Sequence, residues 1–145
     1  MNIISKKMIN YKLYKSDKII NPKGNLTKLI STSDTNYKGF GELYFSDIKH
    51  NQIKGWKKHK KMDMNIFLIE GKIKIVLAKI KNKNFIFKEI LLTKKKQNHL
   101  FLKNNVYFAF QGVSKKTSRL MNFSNIIHDS KETSNIDISE IKYKW

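Results

Sequence analysis

The sequence predicts an all-β fold, arranged as a barrel or a sandwich. Short segments that are either alternating or continuously apolar recur at intervals of roughly ten residues, which is typical of antiparallel β proteins. Turn-forming residues separate these segments, and no long amphipathic helical pattern lies between them. The chain has 145 residues, of which 40% are hydrophobic and 12% aromatic. It is therefore long enough to bury the core of one domain.

Seven or eight strands are predicted after residue 40. The candidates span 41–48, 53–59, 64–69, 72–80, 85–93, 99–103, 106–113 and 118–126. The third is a nearly unbroken apolar run, as expected for a strand that is buried on both faces or lines a barrel. Glu70-Gly71 then forms a tight turn into a segment that alternates Lys and Ile. Asn104-Asn105 is a good later turn, because asparagine tolerates positive φ.

We interpret residues 1–145 as a single domain. Residues 1–22 form an N-terminal segment that ends at the only proline, Pro22, in a turn sequence. Residues 129–145 form a polar C-terminal tail, in which Tyr143 and Trp145 can dock back on the body of the domain.

Composition excludes some classes of protein. The chain has no cysteine, so disulfides and thiolate metal sites are excluded. The first residues lack the long apolar run of a signal peptide, and no segment approaches the length of a transmembrane helix. We therefore expect a soluble, cytoplasmic protein.

The net charge of +19 raises the possibility of nucleic-acid binding. However, only Arg119 among the 30 basic residues is an arginine, and base-edge and bidentate phosphate recognition favours the guanidinium group. The lysines are scattered along the chain, which indicates solvated positions. Nucleic-acid binding is our third hypothesis, and it predicts that the lysines segregate to one face. A positive field also attracts small anionic ligands such as nucleoside diphosphates.

The strand 53–59 concentrates ionisable side chains. Lys57 and His59 are two residues apart, so they project from the same face of the strand. If that face lines the barrel, burial lowers the pKa of the lysine towards neutrality, and the histidine already titrates near neutrality. Either side chain can then act as a base, and a charged lysine can instead stabilise an enolate or hold a phosphate. The alternative is that Lys57 points outward with Lys58 on a solvated edge and that His59 is a structural histidine.

Several segments resemble, in order, the dTDP-4-dehydrorhamnose 3,5-epimerase-like sugar-nucleotide proteins of the cupin superfamily. They are Gly39-Phe-Gly-Glu-Leu-Tyr-Phe-Ser46, Ile53-Lys-Gly-Trp-Lys-Lys-His-Lys-Lys-Met62, Glu70-Gly71, Leu102-Lys-Asn-Asn-Val-Tyr-Phe-Ala-Phe110 and Ile141-Lys-Tyr-Lys-Trp145. The resemblance implies a cupin-type jelly-roll barrel whose mouth binds a nucleoside-diphosphate sugar, with a dTDP-linked sugar favoured. It also implies a homodimer that works in cell-surface polysaccharide biosynthesis.

The chain departs from that family at its functional positions. Lys54 stands where the resemblance implies a substrate-contacting arginine, and Lys57 where it implies the histidine base. Met64 replaces a lysine, and Phe108 replaces a second histidine. The tyrosine acid of the family falls around residues 126 and 127, which are both isoleucine.

The sequence leads to three hypotheses. The first is an epimerase or isomerase of a nucleoside-diphosphate 4-keto-6-deoxy sugar, with Lys57 or His59 as the base. It needs no cofactor, because the ketone of the substrate acidifies the neighbouring C–H, and no metal site is predicted. The residues expected to bind substrate are Lys54, Asn65, Tyr107 and Asn122. The second hypothesis is a cupin that binds the sugar nucleotide without turnover, and the third is the lysine-rich nucleic-acid binder.

Overall fold

The computed structural model describes residues 9–145. These residues form two five-stranded antiparallel sheets and a two-stranded ribbon. The strands are β1 (Tyr11–Tyr14), β2 (Asp17–Ile19), β3 (Leu26–Lys28), β4 (Glu42–Ile48), β5 (Ile53–His59), β6 (Met64–Glu70), β7 (Ile73–Lys81), β8 (Asn84–Leu92), β9 (His99–Leu102), β10 (Tyr107–Gly112), β11 (Ser118–Ser124) and β12 (Thr133–Asn135). A short 3-10 helix spans Ile138–Glu140. The all-β prediction is confirmed.

The order of strands defines the two sheets. The first sheet runs β1-β9-β6-β11-β4, and the second runs β12-β5-β10-β7-β8. The strands β4 to β11 correspond to the eight predicted segments, with their ends shifted by one or two residues. The turn at Pro22 joins β2 to β3 in the ribbon, where the Gly24 amide donates to the Asn21 carbonyl at 3.0 Å. Part of the predicted N-terminal segment, residues 1–8, lies outside the described residues.

One core lies between the two sheets. Alternate side chains of the first sheet, such as Ile66 and Leu120, meet Ile75 and Leu77 of the second, and all four are at most 1% exposed. Burial of apolar surface on this scale is the main stabilising contribution to a β-sandwich.

A second apolar cluster covers the outer face of the second sheet. The C-terminal segment lies across that face, so that Ile141, Tyr143 and Trp145 pack around the fully buried Trp56. Backbone hydrogen bonds in both directions between Trp56 and Ile136 hold the same segment against β5. The tail therefore forms part of the domain, because it supplies the layer that the outer face would otherwise lack.

Lysines are distributed unequally between the sheets. The strands β4, β6, β9 and β11 of the first sheet contain none, and its edge strand β1 contains Lys12. The strands β5, β7 and β8 of the second sheet carry seven: Lys54, Lys57, Lys58, Lys74, Lys79, Lys81 and Lys88. Many more lysines lie in the loops around the molecule. The lysines within strands are thus concentrated in the second sheet. The lysines of the loops are not confined to one face of the molecule.

No helix within residues 9–145 combines the length and the apolar character that crossing a membrane would require.

Candidate functional site

A cavity of about 330 Å³ opens between the inner faces of the two sheets. Six strands (β4, β5, β6, β10, β11 and β12) and Ile136, which follows β12, contribute to its wall. Its lining residues are Tyr44, Ser46, Lys54, Gly55, Trp56, Lys57, Met64, Phe108, Phe110, Asn122, Asn135 and Ile136. The wall therefore mixes apolar and aromatic surface with a small set of polar groups, which is the composition typical of small-molecule sites.

A β-bulge in β5 brings Lys54 and Lys57 to the same wall. Lys57 pairs with Phe108 and Lys54 pairs with Phe110, so two residues of β5 lie opposite one residue of β10. In a regular strand, side chains three apart point to opposite faces, and the extra residue corrects this. As a result, both lysines belong to the cavity wall.

Glycine is required at position 55 of that bulge. Its φ is +147°, a conformation that residues with side chains rarely adopt. A Cβ atom there would also lie 2.4 Å from the Cβ of Ala109 on the neighbouring strand. Gly55 therefore permits the close approach of β5 and β10 that fixes the position of the two lysines.

The two lysines make the cavity electropositive. The Nζ of Lys54 donates to the carbonyl oxygen of Asp47 at 2.5 Å, which anchors the side chain without neutralising its charge. Within residues 9–145, Lys57 has neither an ion pair nor a hydrogen-bond partner for its amine. The lining residues include no acidic side chain. An anionic ligand, or an anion that forms during a reaction, is thus stabilised in this cavity.

Polar side chains from the first sheet form the opposite wall. Asn122 of β11 pairs directly with Tyr44 of β4, and both line the cavity. The Asn122 side chain is only 5% exposed, yet its amide has no hydrogen-bond partner among the described residues. Burial raises the pKa of the Tyr44 phenol, and the carboxylate of Glu42 raises it further. Asn122 and Tyr44 can therefore offer hydrogen bonds to a ligand.

His59 is buried beside the cavity and bonded to a carboxylate. Its Nδ1 lies 2.5 Å from Oε1 of Glu132, and its ring stacks on Phe108 at 6.0 Å between centroids. The backbone amides of Lys61 and Met62 donate to the other oxygen of Glu132. With Nδ1–H donating to Glu132, Nε2 carries the lone pair, and this buried atom has no hydrogen-bond partner within residues 9–145.

The electrostatics of this pair favour a neutral histidine and a charged glutamate. Burial lowers the pKa of His59, and the Glu132 hydrogen bond and charge only partly oppose that shift. The nearby charge of Lys57 lowers the His59 pKa further. Burial raises the pKa of Glu132, but the hydrogen bonds from Lys61, His59 and Thr133 outweigh burial and bring it to about 2.

The structure separates the predicted site residues into two groups. Lys54, Lys57 and Asn122 line the cavity, and His59 shares the inner face of β5 without reaching the lining. Asn65 projects from the outer face of the first sheet, where it bonds Asn36 and His99. Tyr107 projects from the outer face of the second sheet, where the Lys58 amine lies 4.7 Å from its ring centroid.

The cavity also contains the positions at which the chain departs from the epimerase-like proteins. Met64 and Phe108, which stand in place of a lysine and a histidine, line it together with Lys54 and Lys57. Residues 126 and 127 lie elsewhere, on a separate shallow depression.

Sequence reasoning missed Tyr44, Ser46 and Asn135. The alternation in β4 contains a signal for the first two, since the polar Tyr44 and Ser46 alternate with the apolar Leu43 and Phe45. Asn135 gives no such signal, because it reaches the cavity only through the pairing of β12 with β5. Within residues 9–145, no three His, Asp or Glu side chains are grouped so that they could hold a metal ion.

Known proteins share this architecture. The family model described as "FdtA: WxcM-like, C-terminal" matches residues 9–138. A dTDP sugar isomerase from Desulfovibrio desulfuricans G20 is 20% identical, with 93% of this chain and 90% of that chain covered and a TM-score of 0.82. QdtA, a sugar 3,4-ketoisomerase from Thermoanaerobacterium thermosaccharolyticum in complex with TDP, is 20% identical, with 88% of each chain covered and a TM-score of 0.73.

A third solved structure is a dTDP-4-dehydrorhamnose 3,5-epimerase from Bacillus anthracis with TDP and PPi bound. It is 14% identical, with 94% of this chain and 85% of that chain covered and a TM-score of 0.79. No curated protein matches the chain. The shared architecture confirms the predicted cupin-type barrel, and the match over residues 9–138 shows that the chain belongs to the FdtA, WxcM-like C-terminal family.

Proposed function

We propose that this protein is a sugar-nucleotide isomerase or epimerase that acts on a nucleoside-diphosphate 4-keto-6-deoxy hexose, as a cytoplasmic homodimer in polysaccharide biosynthesis. The observation that carries the proposal is the cavity with two lysines and no acidic side chain in its wall. Family membership supports the same class, and so do similar structures that hold TDP or act on dTDP sugars.

The reaction requires a base, a stabiliser for the enolate and a proton donor. The base removes the proton from the carbon beside the ketone, and the electron pair moves to the carbonyl oxygen. Return of a proton to the opposite face of that carbon gives an epimer. Return of a proton to the former carbonyl carbon, with loss of the hydroxyl proton on the neighbouring carbon, moves the ketone. Both outcomes conserve all atoms, and neither requires a cofactor.

Lys57 is the residue that we propose acts directly on the reacting atoms. It lines the cavity and is free of protein partners among residues 9–145, so its amine can contact either the C–H or the developing oxyanion. Tyr44 projects from the opposite wall and is our candidate proton donor. Lys54 and Asn122 bind polar groups of the substrate, and the charge of Lys54 suits a phosphate oxygen.

His59 is the second candidate base. The Glu132 carboxylate orients its ring and leaves Nε2 unprotonated, as a base requires. Its ring lies behind Phe108, however, and does not line the cavity in this structure. Lys57 is therefore our first choice for the base. His59 could contact a substrate in the cavity only after a movement of Phe108.

A second function, sugar-nucleotide binding without turnover, is favoured by one observation. Met64 and Phe108 supply only apolar surface at two positions where the epimerase-like family is expected to have ionisable groups. Without those ionisable groups the cavity can still bind a sugar nucleotide, but it lacks groups that would catalyse a reaction.

Proton exchange measured by NMR distinguishes the two functions. The probe is dTDP-4-keto-6-deoxyglucose in D₂O, with and without the protein. The proposed reaction gives protein-dependent deuterium uptake at C3 or C5 if the product is an epimer, and at C4, the former carbonyl carbon, if the ketone moves, so the labelled carbon identifies the reaction. Broadened thymidine signals without deuterium uptake would establish binding without turnover. If neither effect occurs with this or other sugar nucleotides, the proposed function is wrong.

A further inference from the structure

The two-stranded ribbon stands apart from both sheets. Its strands β2 and β3 pair only with each other, in a register that sets Ile19 opposite Leu26 and Asp17 opposite Lys28. Every residue from 17 to 28 is exposed. An isolated two-stranded hairpin is only marginally stable in water unless another surface packs against it. The ribbon is therefore an element that lacks a packing partner within the domain.

The end of the ribbon that carries the turn is apolar. Ile19 and Leu26 are cross-strand partners, so their side chains lie on the same face. They are 55% and 54% exposed, and Ile20, which follows β2, is 75% exposed. Three large aliphatic side chains are thus presented to solvent at one end of the ribbon. Exposed apolar groups that cluster in this way mark an interaction site.

The turn satisfies most of its own backbone amides. The Gly24 amide donates to the Asn21 carbonyl, and the Lys23 amide donates to Oδ1 of Asn21 at 2.9 Å. The Asn21 amide donates to Oδ1 of Asn25 at 3.0 Å, and Pro22 has no amide hydrogen. Unpaired backbone donors are costly wherever water is scarce. This turn can therefore approach an apolar phase with little loss of backbone hydrogen bonding.

Lysines surround the apolar end of the ribbon. Lys15 and Lys18 precede it, Lys23 lies in the turn, Lys28 follows it, and all four are exposed. None of the four forms an ion pair within residues 9–145. Asp17 is the only acidic residue between positions 15 and 28, so four lysines and one aspartate give this segment a net charge of +3. A partner of the ribbon must therefore combine an apolar phase with negative charge.

An anionic lipid bilayer has this combination. Its acyl boundary takes up aliphatic side chains, and its headgroups attract lysines, whose flexible stems let the amine reach them. Protein interfaces are instead depleted in lysine. Nucleic acids bind by charge and by stacking on aromatic rings, and residues 17–28 contain no aromatic side chain. The same segment of a second copy would bring an equal positive charge against the first.

We propose that the ribbon is a membrane-docking element for an anionic bilayer. Ile19, Ile20 and Leu26 enter the boundary between headgroups and acyl chains, and the four lysines bind the headgroups. Binding is peripheral and reversible, because three aliphatic side chains reach only that boundary. The inference goes beyond the proposed function and does not rest on it. The NMR exchange measurement uses a soluble substrate without lipid, so failure of one is distinguishable from failure of the other.

Co-sedimentation with vesicles tests the docking element. The probe is phosphatidylcholine with about 30% phosphatidylserine, and phosphatidylcholine alone is the comparison. A chain with a net charge of +19 is attracted to any anionic surface, so the decisive substitution is apolar. Ile19→Ser/Ile20→Ser should weaken binding to the anionic vesicles by about 10-fold or more, because two aliphatic side chains are lost from the apolar phase. Ile80→Ser/Ile127→Ser is the matched control, since these isoleucines are 59% and 68% exposed outside the ribbon, and it should bind like the wild type.

The lack of cysteine allows insertion to be measured directly. Ile20→Cys and Ile127→Cys each provide a single site for nitrobenzoxadiazole, a fluorophore that responds to the polarity of its surroundings. With anionic vesicles, the emission of the label at position 20 should move to shorter wavelength, whereas the label at position 127 should not respond. Neutral vesicles should change neither emission.

Four results would overturn the proposal: no co-sedimentation of the wild type with anionic vesicles, full binding by Ile19→Ser/Ile20→Ser, equal binding to neutral and anionic vesicles, or an equal response at positions 20 and 127. A response at position 20 that depends on protein concentration without vesicles would place a second copy on the ribbon, and it would also overturn the proposal. Circular dichroism establishes that each variant is folded. If the double variant is unfolded, the label at position 20 still decides, because it leaves Ile19 unchanged.

Discussion

Both sheets contribute to one core, but they differ in the side chains that they add to the cavity and to the surface. Around the inner face of the first sheet, β4 and β11 supply uncharged polar groups to the cavity, whereas β5 of the second sheet supplies both lysines. Outside, the first sheet presents an uncovered aromatic face, and the second is covered by its own C-terminal segment. The comparison shows that the charge of the chain is used locally. The two lysines of the cavity wall are distinguished from the other lysines by the face of the strand that they occupy.

The largest expected effect is a difference in proton exchange between substitutions of the inward-facing Lys57 and the outward-facing Lys58 of β5. Lys57→Met should reduce proton exchange by at least about 100-fold, because it removes the amine that we propose as base or enolate stabiliser. Lys58→Met is the control, since Lys58 projects outward over Tyr107, and it should retain near-normal exchange. NMR in D₂O measures both. Equal rates for the two variants would remove Lys57 from the mechanism.

The next largest effect is on the pH dependence of stability, and it arises from His99 in the first sheet. His99 is stacked between Tyr14 and Phe67, and burial lowers its pKa from 6.5 to about 4, although Asp34 acts in the opposite direction. The folded protein therefore keeps His99 neutral while the unfolded chain binds a proton below about 6.5. Stability consequently falls as the pH drops from about 6.5 to about 4, by up to ~3 kcal/mol.

His99→Gln should reduce this dependence on pH. Urea unfolding at pH 7.5 and pH 4.5 measures the difference in the free energy of unfolding. His59 contributes a slope of the same sign, since its pKa is also lowered, and that slope remains in the variant. The exposed His50→Gln serves as the control and should match the wild type. If His99→Gln loses as much stability as the wild type, burial of this imidazole is not the cause.

The smallest expected effect is on the free energy of unfolding, and it tests how firmly the C-terminal segment packs on the outer face of the second sheet. Trp145 lies 5.8 Å from Trp56 and 5.0 Å from Tyr143 between ring centroids. Trp145→Ala should lower the free energy of unfolding by about 1–2 kcal/mol, because it removes aromatic contacts from a half-buried side chain. Thermal denaturation measures this loss against the exposed Lys144→Ala, for which almost none is expected. A loss of the same size in both variants would mean that Trp145 does not anchor the segment.

The regular part of the fold could be predicted because its signals are local. Alternation and turn residues within about ten positions located the strands β4 to β11. The two-residue spacing in β5 put Lys57 and His59 on one face, whereas Lys54 was expected only from the family resemblance. The strands β1, β2, β3 and β12 have only three or four residues, and the patterns they contain are too short to define a strand. The contact between His59 and Glu132 spans 73 positions and depends on the pairing of β12 with β5. No local pattern contains such information.

The direction of individual side chains was harder to predict. Asn65 lies within β6, where residues on both faces are apolar and buried, so alternation does not indicate which face is inward. Tyr107 begins β10, whose apolar residues likewise occupy both faces. Both were predicted to bind substrate, and both project away from the cavity. Asn122 lies in the cavity wall, in a strand whose burial alternates regularly from residue to residue.

The bulge at Gly55 has a consequence for comparing this chain with its relatives. A strand repeats every two residues, and the additional residue shifts the phase of that repeat by one position. If the same residues formed a regular strand without the bulge, Lys54 would turn outwards and Ile53 would enter the cavity, while Lys57 would stay in place. Conversely, a related chain can align without a gap and still be unable to form the bulge. Its residues on one side of position 55 would then point to the opposite faces of the strand. Sequence identity across β5 therefore reports on the site only when a residue able to adopt the conformation of Gly55 is retained.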